Sequence, residues 1–165
     1  MKTTMPTPEQ VRQLPLLTRV TVPPDWEDIN GHVNVQHHLG MYSLTNDAVM
    51  EMLGVSSDWV RTSRIGLFDL EHHIWFLNEA HVCDRIALYM RFTERNARRV
   101  AGLTFLLNET RDCLASVIEF VSAAADLTAR RTVALPEPIG TRLDGLLEAH
   151  ASLAWPAPRS GAVAV

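Results

Sequence analysis

Asp28 stands three residues before Gly31 and six before Asn34 in the segment Asp28-Ile29-Asn30-Gly31-His32-Val33-Asn34. An amphipathic run follows directly, from Val35 to Leu53. Asn34 suits a helix N-cap, its side-chain oxygen taking one of the amides that a first turn leaves unpaired. A carboxylate beside such a terminus is a chemical arrangement. The amides of Val35 and Gln36, at the positive end of the helix dipole, would hold a carbonyl oxygen or oxyanion. Asp28 would attack the carbonyl carbon, or act as the base that activates water. These residues read as a hydrolytic site for an activated acyl group. Taken alone, Asp28 would read as an Asx-turn residue that only shapes its loop; the complete motif favours catalysis.

Other polar side chains are placed where they would bind rather than react. His32 follows the glycine, either positioning substrate or satisfied by backbone carbonyls. Glu71, His73 and Trp75 alternate along one strand face, either solvated or lining a pocket shared with a second subunit. Tryptophan there could stack on a quaternary ammonium. Trp26, beside the Asp28 loop, could do the same or anchor the loop in the core. Arg95, Arg98 and Arg99 cluster at a strand end, as solvated residues or as contacts for phosphate groups.

Metal catalysis is not expected. His37 and His38 are adjacent on a helix, His72 and His73 point to opposite strand faces, and His32, His81 and Cys83 complete no ligand spacing. No Gly-x-Ser-x-Gly elbow and no glycine-rich phosphate loop occur. No cofactor is implied.

The elements that must position these residues follow from periodicity. Residues 1–15, polar with three prolines, read as a flexible arm. Leu16 to Val22 alternates as a first strand, stopped by Pro23-Pro24. Leu39, Tyr42, Val49, Met50 and Leu53 form one face of a single long helix, with Gly54 at its end. Ser56 or Ser57 would cap a short helix reaching Arg64. Phe68, Leu70, His72, Ile74 and Phe76 then share one strand face, and Asp69, Glu71, His73 and Trp75 the other. Three more strands are expected over Ile86–Phe92, Arg98–Asn108 and Cys113–Ala123, joined by short polar turns that suit antiparallel hairpins. The sum is α+β, an antiparallel sheet of about five strands wrapped around one helix, in a domain spanning 16–127. A proline-rich extension, 128–165, follows, with a short helix from Gly140 to Ala151.

The motif Asp28-Ile29-Asn30-Gly31-His32-Val33-Asn34 resembles the Asp-x-x-Gly-His-(Val/Met)-Asn signature of hot-dog-fold acyl-CoA thioesterases of the 4-hydroxybenzoyl-CoA thioesterase type. Phe76-Leu77-Asn78-Glu79-Ala80-His81-Val82-Cys83-Asp84 resembles that family's aromatic-Leu-x-x-Ala-x-x-Gly-Asp, with Cys83 in place of the glycine. His38 stands where many members have tyrosine. The resemblance covers residues 16 to 125 and implies the hot-dog fold, hydrolysis of an acyl-CoA by Asp28, and a substrate pocket that includes His38. Within the family, Trp26…Asn30-Gly31-His32, Glu71-x-His73-Ile74 and the Pro-rich tail look most like the betainyl-CoA thioesterases of carnitine breakdown. A hot-dog hydratase or dehydratase, or a non-catalytic acyl-CoA-binding protein, is the alternative.

Composition bounds the partners. With 165 residues, 47% apolar and 21% charged, the chain can bury its own core as one domain. A net charge of −4 argues against nucleic-acid binding. Two cysteines, no signal peptide and no membrane-length apolar run point to the cytoplasm. The polar-aromatic strand face and an uncovered sheet edge predict a homodimer or homotetramer.

Overall fold

In the computed structural model, which describes residues 3–165, the expected strands and helices appear in order, and a first short helix and a sixth short strand are added. They are α1 (Pro8–Val11), β1 (Leu16–Thr21), α2 (Val35–Ser43), α3 (Asn46–Met52), α4 (Ser57–Ser63), β2 (Ile65–Phe76), β3 (Arg85–Arg95), β4 (Arg99–Asn108), β5 (Cys113–Asp126), β6 (Arg131–Thr132) and α5 (Glu137–Ala151). Strands pair antiparallel in the order β1-β3-β4-β5-β2, and the short β6 adds to the end of β5. The central helix expected over Val35 to Leu53 runs as α2 and α3. An irregular turn at Leu44–Thr45 divides it, where the Thr45 hydroxyl donates to the Tyr42 carbonyl at 2.7 Å. This curled sheet around a central helix is the hot-dog fold.

Two apolar clusters hold the layers together. Met41, Tyr42 and Leu53 from the helix pack with Ile86, Leu88, Met90, Phe92, Ile118 and Phe120 on the inner face of the sheet. The outer face of the same strands presents Tyr89, Leu103, Phe105, Leu107 and Val117 to a second cluster. Burial on both faces explains the near-continuous apolar runs of β4 and β5.

The terminal segments correct the expectation of a flexible arm. Residues 8–11 form a helix closed by a capping box between Thr7 and Gln10, with Val11 and Leu14 buried. Both enter the outer cluster, together with Trp155 from the C-terminal extension. The extension is equally packed. Ile139 and Leu143 of α5 join the inner cluster. β1 covers β3 only as far as Tyr89. Beyond that point the Phe92 amide donates to His150 Nδ1 at 3.0 Å, so α5 shields the rest of that edge. No helix among the described residues is long and apolar enough to cross a membrane.

β2 differs from the uninterrupted strand that its alternation predicts. A bulge between Asp69 and Glu71 shifts its register against β5. From Glu71 onward the faces are as expected: Ile74 packs inward and Trp75 outward. Before the bulge they exchange. Leu67 joins the inner cluster, and Asp69 turns toward the helix, where it meets Tyr42. An inserted residue reverses the face of everything upstream.

Candidate functional site

The Asp28 loop is a narrow hairpin. Glu27 and Val33 pair as an isolated bridge, and the Asn34 amide donates to the Trp26 carbonyl at 2.8 Å. Gly31 closes the turn at φ 79°, a left-handed conformation that favours glycine. The loop is tied to the segment after β2 by Val33 N–H to Ala80 O at 2.8 Å, and His81 Nδ1 donates to Gly31 O at 2.9 Å. Asp84 anchors that segment in turn, accepting from the His81 amide, Asn108 and Arg111. Burial opposes charge on Asp84, but these donors outweigh it and hold its carboxyl below the usual range. Cys83 sits at φ 69°, the conformation for which the family's glycine is suited.

Within this frame the two oxygens of Asp28 are unequal. Oδ1 accepts the Asn30 amide at 2.8 Å, an Asx turn. Oδ2 has only long contacts, to Asn30 Nδ2 at 3.4 Å and His32 Nε2 at 3.5 Å. His32 Nδ1 lies 3.4 Å from Glu79 Oε1, so the imidazole bridges two carboxylates. Asp28, His32, Val35, His38, Phe76 and Glu79 line one cavity of about 370 Å³. Glu79 was missed from sequence, where it read only as a variable position within the second motif.

Asn34 caps α2 as expected, its Oδ1 accepting the Gln36 amide at 3.1 Å. That bond occupies Gln36, which was expected to face the oxyanion. Val35 N–H has no hydrogen-bond partner among the described residues, so it is the donor left at the helix N-terminus. Asn34→Ala is expected to cost about 1 kcal/mol of stability. The same variant should lower turnover through misaligned amides, read as a reduced kcat at nearly unchanged KM.

His38 is buried, 5% exposed, with Nδ1 at 2.9 Å from Ser116 Oγ and its ring edge-on to Phe76. Burial first, then the nearby His32 and His37, lowers its pKa to about 4. It therefore works in the cavity as a neutral imidazole. Because the folded pKa lies below the unfolded one, its contribution is complete above about pH 6.5 and is lost as the pH falls toward 4. The loss should reach up to about 3 kcal/mol. Urea unfolding at pH 7 and pH 4 should show this extra acid sensitivity in the wild type and not in His38→Gln.

Several expected site residues lie elsewhere. Trp26 stacks on His37, with centroids 4.7 Å apart, and packs against the inner cluster; it anchors the loop and does not line the cavity. Glu71, His73 and Trp75 belong to the outer face. There Trp75 packs with the outer cluster and edge-on against His73, and none of the three lines the Asp28 cavity. Arg95 is bound to Asp144 of α5 through Nε at 2.6 Å and Nη2 at 2.5 Å. Arg98 lies in the β3–β4 turn and Arg99 opens β4, their amides both donating to Asn96 Oδ1. The described residues contain no group of three or more His, Cys, Asp or Glu able to hold a metal.

Known proteins resemble this chain in sequence and in fold. The Thioesterase-like superfamily profile matches residues 22–143. Betainyl-CoA thioesterase of Pseudomonas aeruginosa is 27% identical over 133 residues, covering 81% of this chain and 84% of that protein. The L-carnitine dehydrogenase/betainyl-CoA thioesterase of Ruegeria pomeroyi is 30% identical over 148 residues, 78% of this chain. This chain spans only 30% of that longer protein. A Staphylococcus aureus protein solved in complex with CoA superposes with a TM-score of 0.79 at 22% identity, over 92% of this chain and 96% of that one. With the family profile matching most of its length, the chain belongs to the thioesterase-like superfamily.

Proposed function

We propose that the protein hydrolyses an acyl-CoA thioester, with Asp28 as nucleophile or general base and a small cationic acyl group such as betainyl as substrate. The observation that carries hydrolysis is the Asp28 carboxylate, with Oδ2 almost without partners, in a cavity at the α2 N-terminus where Val35 N–H is free. A carbonyl oxygen held by that amide would gain negative charge as Asp28, or water activated by it, adds to the carbon. The thiolate of CoA then leaves without needing a strong acid, and where Asp28 itself has added, water cleaves the resulting anhydride to release the acid and regenerate the carboxylate. The betainyl assignment is supported by the relatives named for that activity.

The site is completed by a second copy of the chain. β2 bonds to β5 on one side, and its other edge is open along 12 residues that include exposed Phe68, Leu70 and Phe76. Pairing of two such edges about a two-fold axis runs antiparallel. It carries the Asp69 end of one strand toward the Phe76 end of the other, where the Asp28 cavity lies. Sedimentation should show a dimer or larger; an active monomer would overturn this arrangement.

The substrate test is thiol release from acyl-CoA esters of different chemistry. Betainyl-CoA and 3,3-dimethylbutyryl-CoA have nearly the same shape and differ by one charge. A kcat/KM at least about ten-fold higher for betainyl-CoA, worth 1.4 kcal/mol, is expected. Equal values, or a preference for palmitoyl-CoA, would remove the betainyl assignment. Absence of thiol release from every ester would remove hydrolysis itself.

A further inference from the structure

A second cavity, of about 560 Å³, lies between the helical layer and the sheet, lined by α3, α4 and the inner faces of β2 to β5. Its walls are mostly apolar, but Asp69 opens into it. Oδ1 of Asp69 accepts from the hydroxyls of Tyr42 at 3.1 Å and Ser122 at 2.5 Å. Oδ2 has only His72 Nε2 at 3.4 Å, without hydrogen-bond alignment. Burial works against charge on Asp69. The approach of His72 and the two hydroxyls outweighs it and holds the pKa below the usual carboxylate value. Tyr42 is pushed up by burial and by Asp69, so it stays protonated as a donor. Among the described residues, no lysine or arginine lines the cavity.

Three aromatic rings, Tyr42, Phe92 and Phe120, line the same cavity. Phe92 and Phe120 meet at 85° with centroids 6.3 Å apart, and Tyr42 is tilted 50° to Phe120 at 5.8 Å. As walls of one cavity they would form a cup, because an aromatic face carries negative quadrupole charge that attracts a cation. An anion among such faces, hydrogen-bonded through one oxygen, meets no lysine or arginine among the cavity's described residues, only the His72 imidazole at 3.4 Å. A hard, strongly hydrated cation gains little here. A bulky alkylammonium gains from both the charge and the rings.

We infer that the Asp69 cavity binds an organic cation of the quaternary ammonium class, with Asp69 as counter-ion and Tyr42, Phe92 and Phe120 as the aromatic cup. Its use as the acyl subsite rests on the proposed betainyl-CoA hydrolysis and on pairing through β2. The binding itself rests on neither. Phe76 lies seven positions beyond Asp69 on β2, roughly 20 Å at strand spacing, too far for one betainyl group to span within a chain. In a β2-paired dimer the cavity of one copy would serve the Asp28 site of the other.

Choline and its uncharged isostere 3,3-dimethylbutan-1-ol, titrated calorimetrically into the full chain, provide the test. Choline should bind saturably, the isostere at least about ten-fold more weakly. Asp69→Asn, which keeps the acceptor for Tyr42 and Ser122, should abolish the preference. Asp28→Asn should bind choline like the wild type, which shows that binding does not depend on the catalytic carboxylate and separates this inference from the hydrolytic one. Equal binding of both ligands, no saturable choline binding, or choline binding undiminished in folded Asp69→Asn would each overturn the proposal. Should Asp69→Asn fail to fold, the wild-type comparison of the two ligands decides.

Discussion

Replacement of Asp28 by asparagine is expected to lower thioester hydrolysis by at least about 100-fold while leaving the fold intact. The fold should survive because the loop does not need the charge. Asparagine keeps an oxygen for the Asn30 amide. The backbone bonds Asp28 N–H to His32 O, at 2.9 Å, and Gly31 N–H to Asp28 O, at 3.0 Å, do not involve the side chain. What disappears is the anionic Oδ2, the one oxygen with no strong partner. A neutral amide can neither add to a thioester nor take a proton from water at useful rates. The melting temperature should therefore stay near that of the wild type while thiol release collapses. Hydrolysis near the wild-type rate by a folded variant would refute the assignment.

The position of Asp28 was legible because its surroundings are local. Gly31 at positive φ, the cap at Asn34 and the amphipathic run behind it lie within one short stretch, each with its own sequence signal. The same holds for β3 to β5, whose long apolar runs divide between the inner and outer sides of the sheet. Where geometry depends on the backbone alone, the reading failed. Nothing in Phe68-x-Leu70-x-His72-x-Ile74-x-Phe76 signals a bulge, since the alternation is unbroken through it. The bulge nevertheless transfers Asp69 from the outer face to the cavity beside Tyr42. With it the cation-binding candidates change, from Glu71 and Trp75 to Asp69 and a cup of inner-face aromatics. The break at Thr45 has no glycine or proline to announce it. Val11, Leu14 and Trp155 did carry a signal, as isolated large apolar residues in segments that otherwise read as polar or proline-rich. Their shared cluster exists only because both termini reach the same outer face of the sheet.

Gly102 yields the second large expected effect, with a sign opposite to the usual rule. Alanine in place of a strand glycine ordinarily stabilises by roughly 0.5–1 kcal/mol, since it restricts the unfolded chain. Here a Cβ would lie 2.8 Å from the Arg91 carbonyl oxygen and 2.7 Å from Phe120 Cζ. The ring can swing aside; the carbonyl has less freedom. Arg91 is fixed through its guanidinium, which donates to the carbonyls of Trp155 and His150 at 2.9 Å each. Gly102 is also paired with Phe92 on one side and Phe120 on the other, next to the β3 bulge between Phe92 and Glu94. Overpacking at such a point costs about 1–3 kcal/mol. For a domain of this size that lowers the melting temperature by about 3–10 °C. Because both neighbouring rings belong to the aromatic cup, Gly102→Ala should also weaken choline binding at temperatures where the protein is still folded. An unchanged melting temperature would mean that the β3 backbone yields to the extra methyl. Undiminished choline binding would mean that Phe120 is not a wall of the cation site.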